Sequence, residues 1–332
     1  MVNNCIDIVS CRERVFGKEE RFYLMGIAIL SIVFLHFYCW FKGTRPWWIY
    51  FFSEGQTGVD LLLFLSAYGL EASIRKNGWR KFYINRIKRI LPVYFLFLVT
   101  LFSIFQHDIP FVRIIIQSIG QLTGFSLFQK DEFFSTNFEF DWFTPALIIV
   151  YFWYPLISTG INRIIKKALG YEILLLFFLI FISLLDLRVV HLPIKFLLYR
   201  IPIIILGAIT YIHLKEEDVN RLLIMYIIFF ISGLYSNQHW FLVSSTIPVF
   251  LTVYSMIPGK RPFHNILSLL GHHSYEIYLA HIFPVTNFLM LMVFDNIYVH
   301  IIVTILWTIV VATIYSLFHK YSMTVINNIS RQ

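Results

Sequence analysis

The chain has 332 residues, of which 58% are apolar and 19% aromatic but only 14% charged, and its mean hydropathy is +0.71. Soluble domains carry about 25% charged residues, so the composition excludes a water-soluble globular fold and points to a polytopic membrane protein. The net charge of +8 does not imply nucleic acid as a partner, because the basic residues lie in short loops between apolar runs, where they orient membrane helices.

The polar N-terminal stretch CRERVFGKEER leads into a first apolar run with no small-residue cleavage site behind it, which reads as a retained anchor rather than a cleaved signal. Apolar stretches of about 17 to 25 residues place spans near 22–41, 57–74, 90–106, 142–160, 171–186, 197–213, 221–236, 240–257, 266–290 and 298–318. The expected fold class is all-α, a polytopic membrane bundle of about ten transmembrane helices, since a helix satisfies its own backbone polar groups in lipid. One membrane domain over 1–332, with its core at about 20–320, accounts for the chain; no soluble domain and no internal repeat is visible. With both termini in the cytoplasm of a multi-pass cell-membrane protein, the inner segments hold 20 of the 27 Lys and Arg residues, the bias expected of cytoplasmic loops. The segment 107–141 then starts and ends outside, so its apolar part FVRIIIQSIGQLTGFSLF is expected to be interfacial or re-entrant.

Cys5, Cys11 and Cys39 have neither CxxC nor metal-ligand spacing, and no disulfide framework or metal site follows from them. His36 lies in the first span, outward of its middle, where an imidazole needs a partner or a cavity. It reads either as a neutral histidine bonded across a helix interface or as a general base, because a desolvated imidazole stays neutral and accepts a proton. Asp60 opens the second span in TGVDLLLFLSAYGL at an expected depth similar to that of His36. It is a candidate to orient the His36 ring as a carboxylate does in a catalytic triad, or else an interfacial helix cap.

The loop at 75–89 holds seven Lys and Arg residues. Arg86 and Arg89, three apart, share one helical face and suit a polyphosphate through bidentate contacts, unless the loop is basic only to set topology and touch anionic lipid. HLKEED at 213–218 matches the H-x4-D pattern of glycerolipid acyltransferases, but in a short charged turn it reads as chance. In SLLGHHSYEIYLAHIFPV, Tyr275 and His281 fall in the ninth span, where packing and interhelical hydrogen bonding compete with a catalytic role. No P-loop, G-x-S-x-G or H-E-x-x-H occurs, which leaves no support for nucleotide hydrolysis, a serine hydrolase elbow or a zinc protease.

Six stretches, MGIAILSIVFLHF (25–37), GVDLLLFLSAYGL (58–70), FYINRIKRILPVY (82–94), WFTPALIIVYFWYPL (142–156), YRIPIIILGAI (199–209) and GHHSYEIYLAHIFPV (271–285), follow one another in an order that resembles the acyltransferase 3 family of integral-membrane acyltransferases. The resemblance implies a ten-helix domain that moves an acyl group, most often acetyl from acetyl-CoA, onto a hydroxyl of an exported or surface glycan or lipid-linked saccharide. It places His36 on the family's first-helix histidine, as general base or transient acyl carrier. Arg86 and Arg89 fall on its R-x-x-R pair, which would hold the donor's phosphates, and Tyr275 and His281 on its late S-Y-x-x-Y-L-x-H element. The family commonly has an arginine eleven residues before the histidine; here that position is Met25, and Arg21, one turn earlier, is the nearest candidate to replace it. Ala67 stands where the family usually has glycine. A transporter or flippase, which also buries charged residues in its spans, and an inactive family relative in glycan assembly are the competing readings.

Overall fold

The computed structural model describes residues 16–40, 46–105, 110–128, 142–184, 193–236, 238–257, 261–284 and 296–329. Among them there is no strand, and nearly every residue lies in a helix. Helix α1 (Lys18–Trp40) carries Glu19 and Glu20 in its first turn, where acidic groups complement the helix dipole. A two-turn 3-10 helix (Trp47–Phe52) follows, with Trp47, Tyr50 and Phe51 exposed as an aromatic belt residue would be at a membrane interface.

Helix α2 (Thr57–Phe105) is two helical halves joined at Gly78, which adopts the non-helical φ 68° and ψ 174°. Arg86 Nη2 lies 3.3 Å from Ser73 Oγ, whereas thirteen residues of straight helix would separate them by about 20 Å. The chain therefore turns back at Gly78, and the two halves of α2 are the separate spans expected at 57–74 and 90–106. A positive φ falls on the one residue type that adopts it without steric cost.

Next come α3 (Phe111–Thr123), α4 (Phe143–Ile165), α5 (Leu169–Leu184), the short α6 (Lys195–Leu198), α7 (Ile201–Lys215), α8 (Val219–Leu234) and α9 (His239–Met256). The bounds of α4, α5, α7, α8 and α9 match expected spans to within about five residues. The span expected at 266–290 is instead two helices, α10 (His264–His272) and α11 (Ser274–Pro284), broken at His273; the rest of it lies outside the described residues. Helix α12 (Ile297–Ile329) ends the described chain. Among the described residues, four stretches are long and apolar enough to cross a membrane, Lys18–Cys39, Phe143–Ile165, Lys195–Lys215 and Ile297–Ile326.

Within 107–141, α3 has 13 residues, about 20 Å of helix against a hydrocarbon core of about 30 Å. It exposes Phe111, Val112, Ile115 and Ile119 while burying Gln117, Gly120 and Gln121. An apolar side turned outward and a polar side turned to protein suits a helix lodged in the membrane without crossing it; residues 129–141 lie outside the described set.

Helix α1 packs on α10 and α2, α2 on α7, α8 on α9, and α11 on α12. The α1–α10 contact is backbone against backbone: a Cβ at Gly26 would collide with the Leu267 carbonyl, and one at Gly271 with the Phe22 carbonyl. Small residues that let helices touch are a main source of cohesion where lipid removes the hydrophobic drive between them. We expect Gly271→Val to separate α1 from α10 and to cost about 1–3 kcal/mol, read as a lower thermal midpoint of detergent-purified protein than Ser268→Val gives one turn away.

Candidate active site

The short distances in this bundle concentrate on its ionisable residues. His36, half-buried near the end of α1, and His281, fully buried in α11, meet at 2.8 Å from Nδ1 of the first to Nε2 of the second. The rings lie within 10° of parallel. His281 Nδ1 is 3.2 Å from the Ile277 carbonyl, one turn back on its own helix. A carbonyl accepts only, so His281 Nδ1 carries the hydrogen and its Nε2 is a lone pair. That lone pair requires a donor, which makes His36 Nδ1–H the donor and leaves the basic lone pair of His36 on Nε2. One backbone carbonyl thus fixes the tautomers of both rings.

Asp60 does not take the place assigned to it beside His36. A Cβ at Gly58 would press on Ala28 and Ile32, which sets Asp60 level with about Ile29, seven residues from His36 and about 10 Å away along α1. Its carboxylate pairs with Arg200 at 2.9 Å, the two side chains being 4% and 11% exposed, and Ser244 adds a hydrogen bond. A buried carboxylate needs a full countercharge, which a guanidinium supplies and a neutral imidazole does not. The Nδ1 atom that an orienting carboxylate would occupy on His36 is held by His281 instead.

Arg86 and Arg89 follow the hairpin turn at Gly78. Arg86 lies over the rings of Phe82 and Tyr151, at 5.6 and 5.8 Å, and donates to Ser73 Oγ. Burial holds its guanidinium pKa below the ordinary value; Tyr151 opposes that shift and Arg89 adds to it. Arg21 of α1 rests on the Tyr68 ring at 5.7 Å and feels the charge of Arg89. The three arginines therefore converge at one end of the bundle from two helices. Arg89, Met25, Ser66, Tyr151, Ser274, Tyr275 and Tyr278 line a cavity of about 40 Å³, room for about one water-sized group. Met25 is eleven residues, or about 16 Å, from His36 along α1, and Tyr278 touches the His281 ring at 5.6 Å between centroids. The cavity thus lies between the arginines and the histidines.

Two buried networks lay beyond sequence reasoning. Glu71, 0% exposed, receives Arg75 at 2.8 Å, Asn162 at 3.2 Å and Tyr154 at 3.2 Å, and Arg75 also donates to Asn162. Glu172 pairs with His213 at 2.7 Å and Arg221 at 3.3 Å. The H-x4-D turn is accounted for by these local tasks, since Asp218 caps α8 through the Arg221 amide while His213 serves Glu172. The i, i+4 spacing of Glu71 and Arg75 was a legible signal; their partners, some ninety residues on, were not.

Removing one member of a buried ion pair costs about 3–5 kcal/mol. Asp60→Asn should therefore lower the thermal midpoint sharply, and Asp60→Leu combined with Arg200→Leu should recover much of the loss, measured by unfolding in detergent.

The acyltransferase 3 family model, described as an acyltransferase domain, matches residues 23–319, nearly the whole chain. No curated protein and no solved structure matches it. With its apolar helices, the chain is an integral-membrane acyltransferase and belongs to the acyltransferase 3 family.

Proposed function

We propose that this acyltransferase moves an acetyl group from acetyl-CoA to a hydroxyl of an exported or cell-surface glycan, with His36 as general base. The observation that carries the reading is the His36–His281 hydrogen bond, which presents the His36 Nε2 lone pair in a fixed tautomer. In the transfer, the acceptor oxygen bonds to the thioester carbonyl carbon while its proton passes to His36 Nε2. The C–S bond then breaks, and the thiolate recovers that proton to leave as the free thiol of CoA. His281 positions His36 and never leaves the neutral state, so it takes over in part the orienting role of a triad carboxylate.

Arg86 and Arg89, with Arg21 in support, hold the donor's phosphates by charge-assisted hydrogen bonds. The family resemblance carries this assignment, and their convergence at one end of the bundle agrees with it. The pantetheine arm of the donor is long enough to run past Met25 and Tyr278 toward the histidines. Because that cavity holds only about 40 Å³, the unbranched Met25 side chain, adaptable in shape, has to swing aside for the arm. Tyr275 contributes to the wall of the same passage.

The test is expression of wild type and His36→Ala at equal membrane levels in a host lacking the gene, followed by NMR of ester-linked acetyl on purified surface polysaccharide. Wild type should restore acetylation and His36→Ala should not; restoration by both would remove the histidine from the mechanism. No acetylation by either would turn the search to other acyl groups or to transport. His281→Phe, which removes the acceptor for His36 Nδ1–H, should lower kcat by about 10²-fold or more with little change in donor KM. Arg89→Gln should do the reverse, raising donor KM by about tenfold or more. An equal fall in kcat and rise in KM for both variants would refute this division of roles.

A further inference from the structure

The second half of α2 has two faces with different neighbours. Arg86 and Arg89 lie on one; Ile84, Ile87, Lys88, Leu91, Pro92 and Phe95 lie on the other and form the wall of a groove of about 580 Å³. The opposite wall is Phe318, Ser322 and Ile326 of α12, and Leu122 of α3 closes the side. Tyr315 of α12 lies beside Thr100 and His319 is within range of the Arg89 charge, so the two helices run antiparallel and Lys88 lies within about one turn of the level of Ser322. The groove is graded in consequence: Leu91, Pro92, Phe95, Leu122 and Phe318 make one part of it wholly apolar, and the charged and hydroxyl-bearing residues among its described lining, Lys88 and Ser322, lie together toward the Gly78 turn.

We infer that this groove is a binding site for an acidic glycerophospholipid, one acyl chain lying along Leu91, Phe95 and Phe318 and the headgroup phosphate meeting Lys88 and Ser322. Three features select this occupant. Ile87, Leu91 and Phe95 are exposed on a chain that spans the membrane, so lipid rather than water covers them. The groove is long and apolar, as an acyl chain requires and a free phosphate or a sugar does not. Its charge is positive at one end only, the end that Arg80 and Lys81, both exposed, extend beyond the groove, and basic residues at headgroup depth favour anionic lipid. Because the same helix turns its other face to the arginine cluster, a seated lipid also supports that cluster from behind. The inference does not depend on the acyl-transfer reading.

The test uses the full chain purified in detergent and mixed with equal amounts of phosphatidylglycerol and phosphatidylcholine of matched chains, with retained lipid counted by native mass spectrometry. Wild type should keep phosphatidylglycerol in preference. Lys88→Gln should reduce that preference about fivefold, the worth of one cation near an anionic surface, while Lys320→Gln, an exposed change outside the groove, should leave it unchanged. Leu122→Trp and Ser322→Trp fill the groove from two other helices, and each should lose one bound lipid of either kind. They decide the matter even if Lys88→Gln does not fold. No preference in wild type, equal effects of the Lys88 and Lys320 changes, or an unchanged lipid count in both tryptophan variants would overturn the site.

Discussion

In this bundle the controlling constraint is that an ionisable group withdrawn into a membrane protein must be answered by another protein group, because water is not there to answer it. Each answer found here has a chemistry suited to its question. The carboxylates of Asp60, Glu71 and Glu172 are met by guanidiniums, which stay charged in any surroundings. The imidazole of His36 is met by a second imidazole, which brings no charge at all. On the proposed mechanism that difference separates structural pairs from the reactive one: a carboxylate is held by its countercharge, while the hydrogen bond between two neutral rings fixes a tautomer and adds no charge.

The arrangement also orders the bundle along its axis. Arginines from α1 and α2 gather at the end where α2 turns back, and His36 sits about four helical turns beyond Arg21 toward the opposite end. Between them the packing closes to a small cavity with hydroxyl groups from α2, α4 and α11 in its wall. Charge at one end, base at the other and a narrow polar seam between them is a layout suited to a long donor with phosphates at one extremity and a thioester at the other.

Much of this was legible in the sequence, because membrane helices write themselves in long apolar runs and the observed helices fall where those runs do. The hairpin within α2 was readable as a basic gap between two such runs. The break at His273 was not, since GHHSYEIYLAH stays apolar enough to read as one continuous span. The candidate site divided in the same way. His36 and His281 stood out as ionisable groups in spans, but nothing in 245 residues of separation said that they touch. Equal depth in the sequence pairs Asp60 with His36, whereas register, which depends on where Gly58 presses against α1, sets them apart. Arg200 carries no signal in the sequence, because one arginine at the outer end of a span is common, and only its three-dimensional partner, Asp60, gives it meaning.

The backbone contact between α1 and α10 has a mechanical consequence. Gly26 and Gly271 leave no slack between those helices, and α10 runs into α11 through the single residue His273. The two histidines are therefore mounted on one frame, with their separation set by rigid backbone rather than by side-chain reach. Backbone movement that widens the passage is therefore left to its other walls, α2 and α4, with side chains such as Met25 yielding between them and the rings held as an anvil is between jaws.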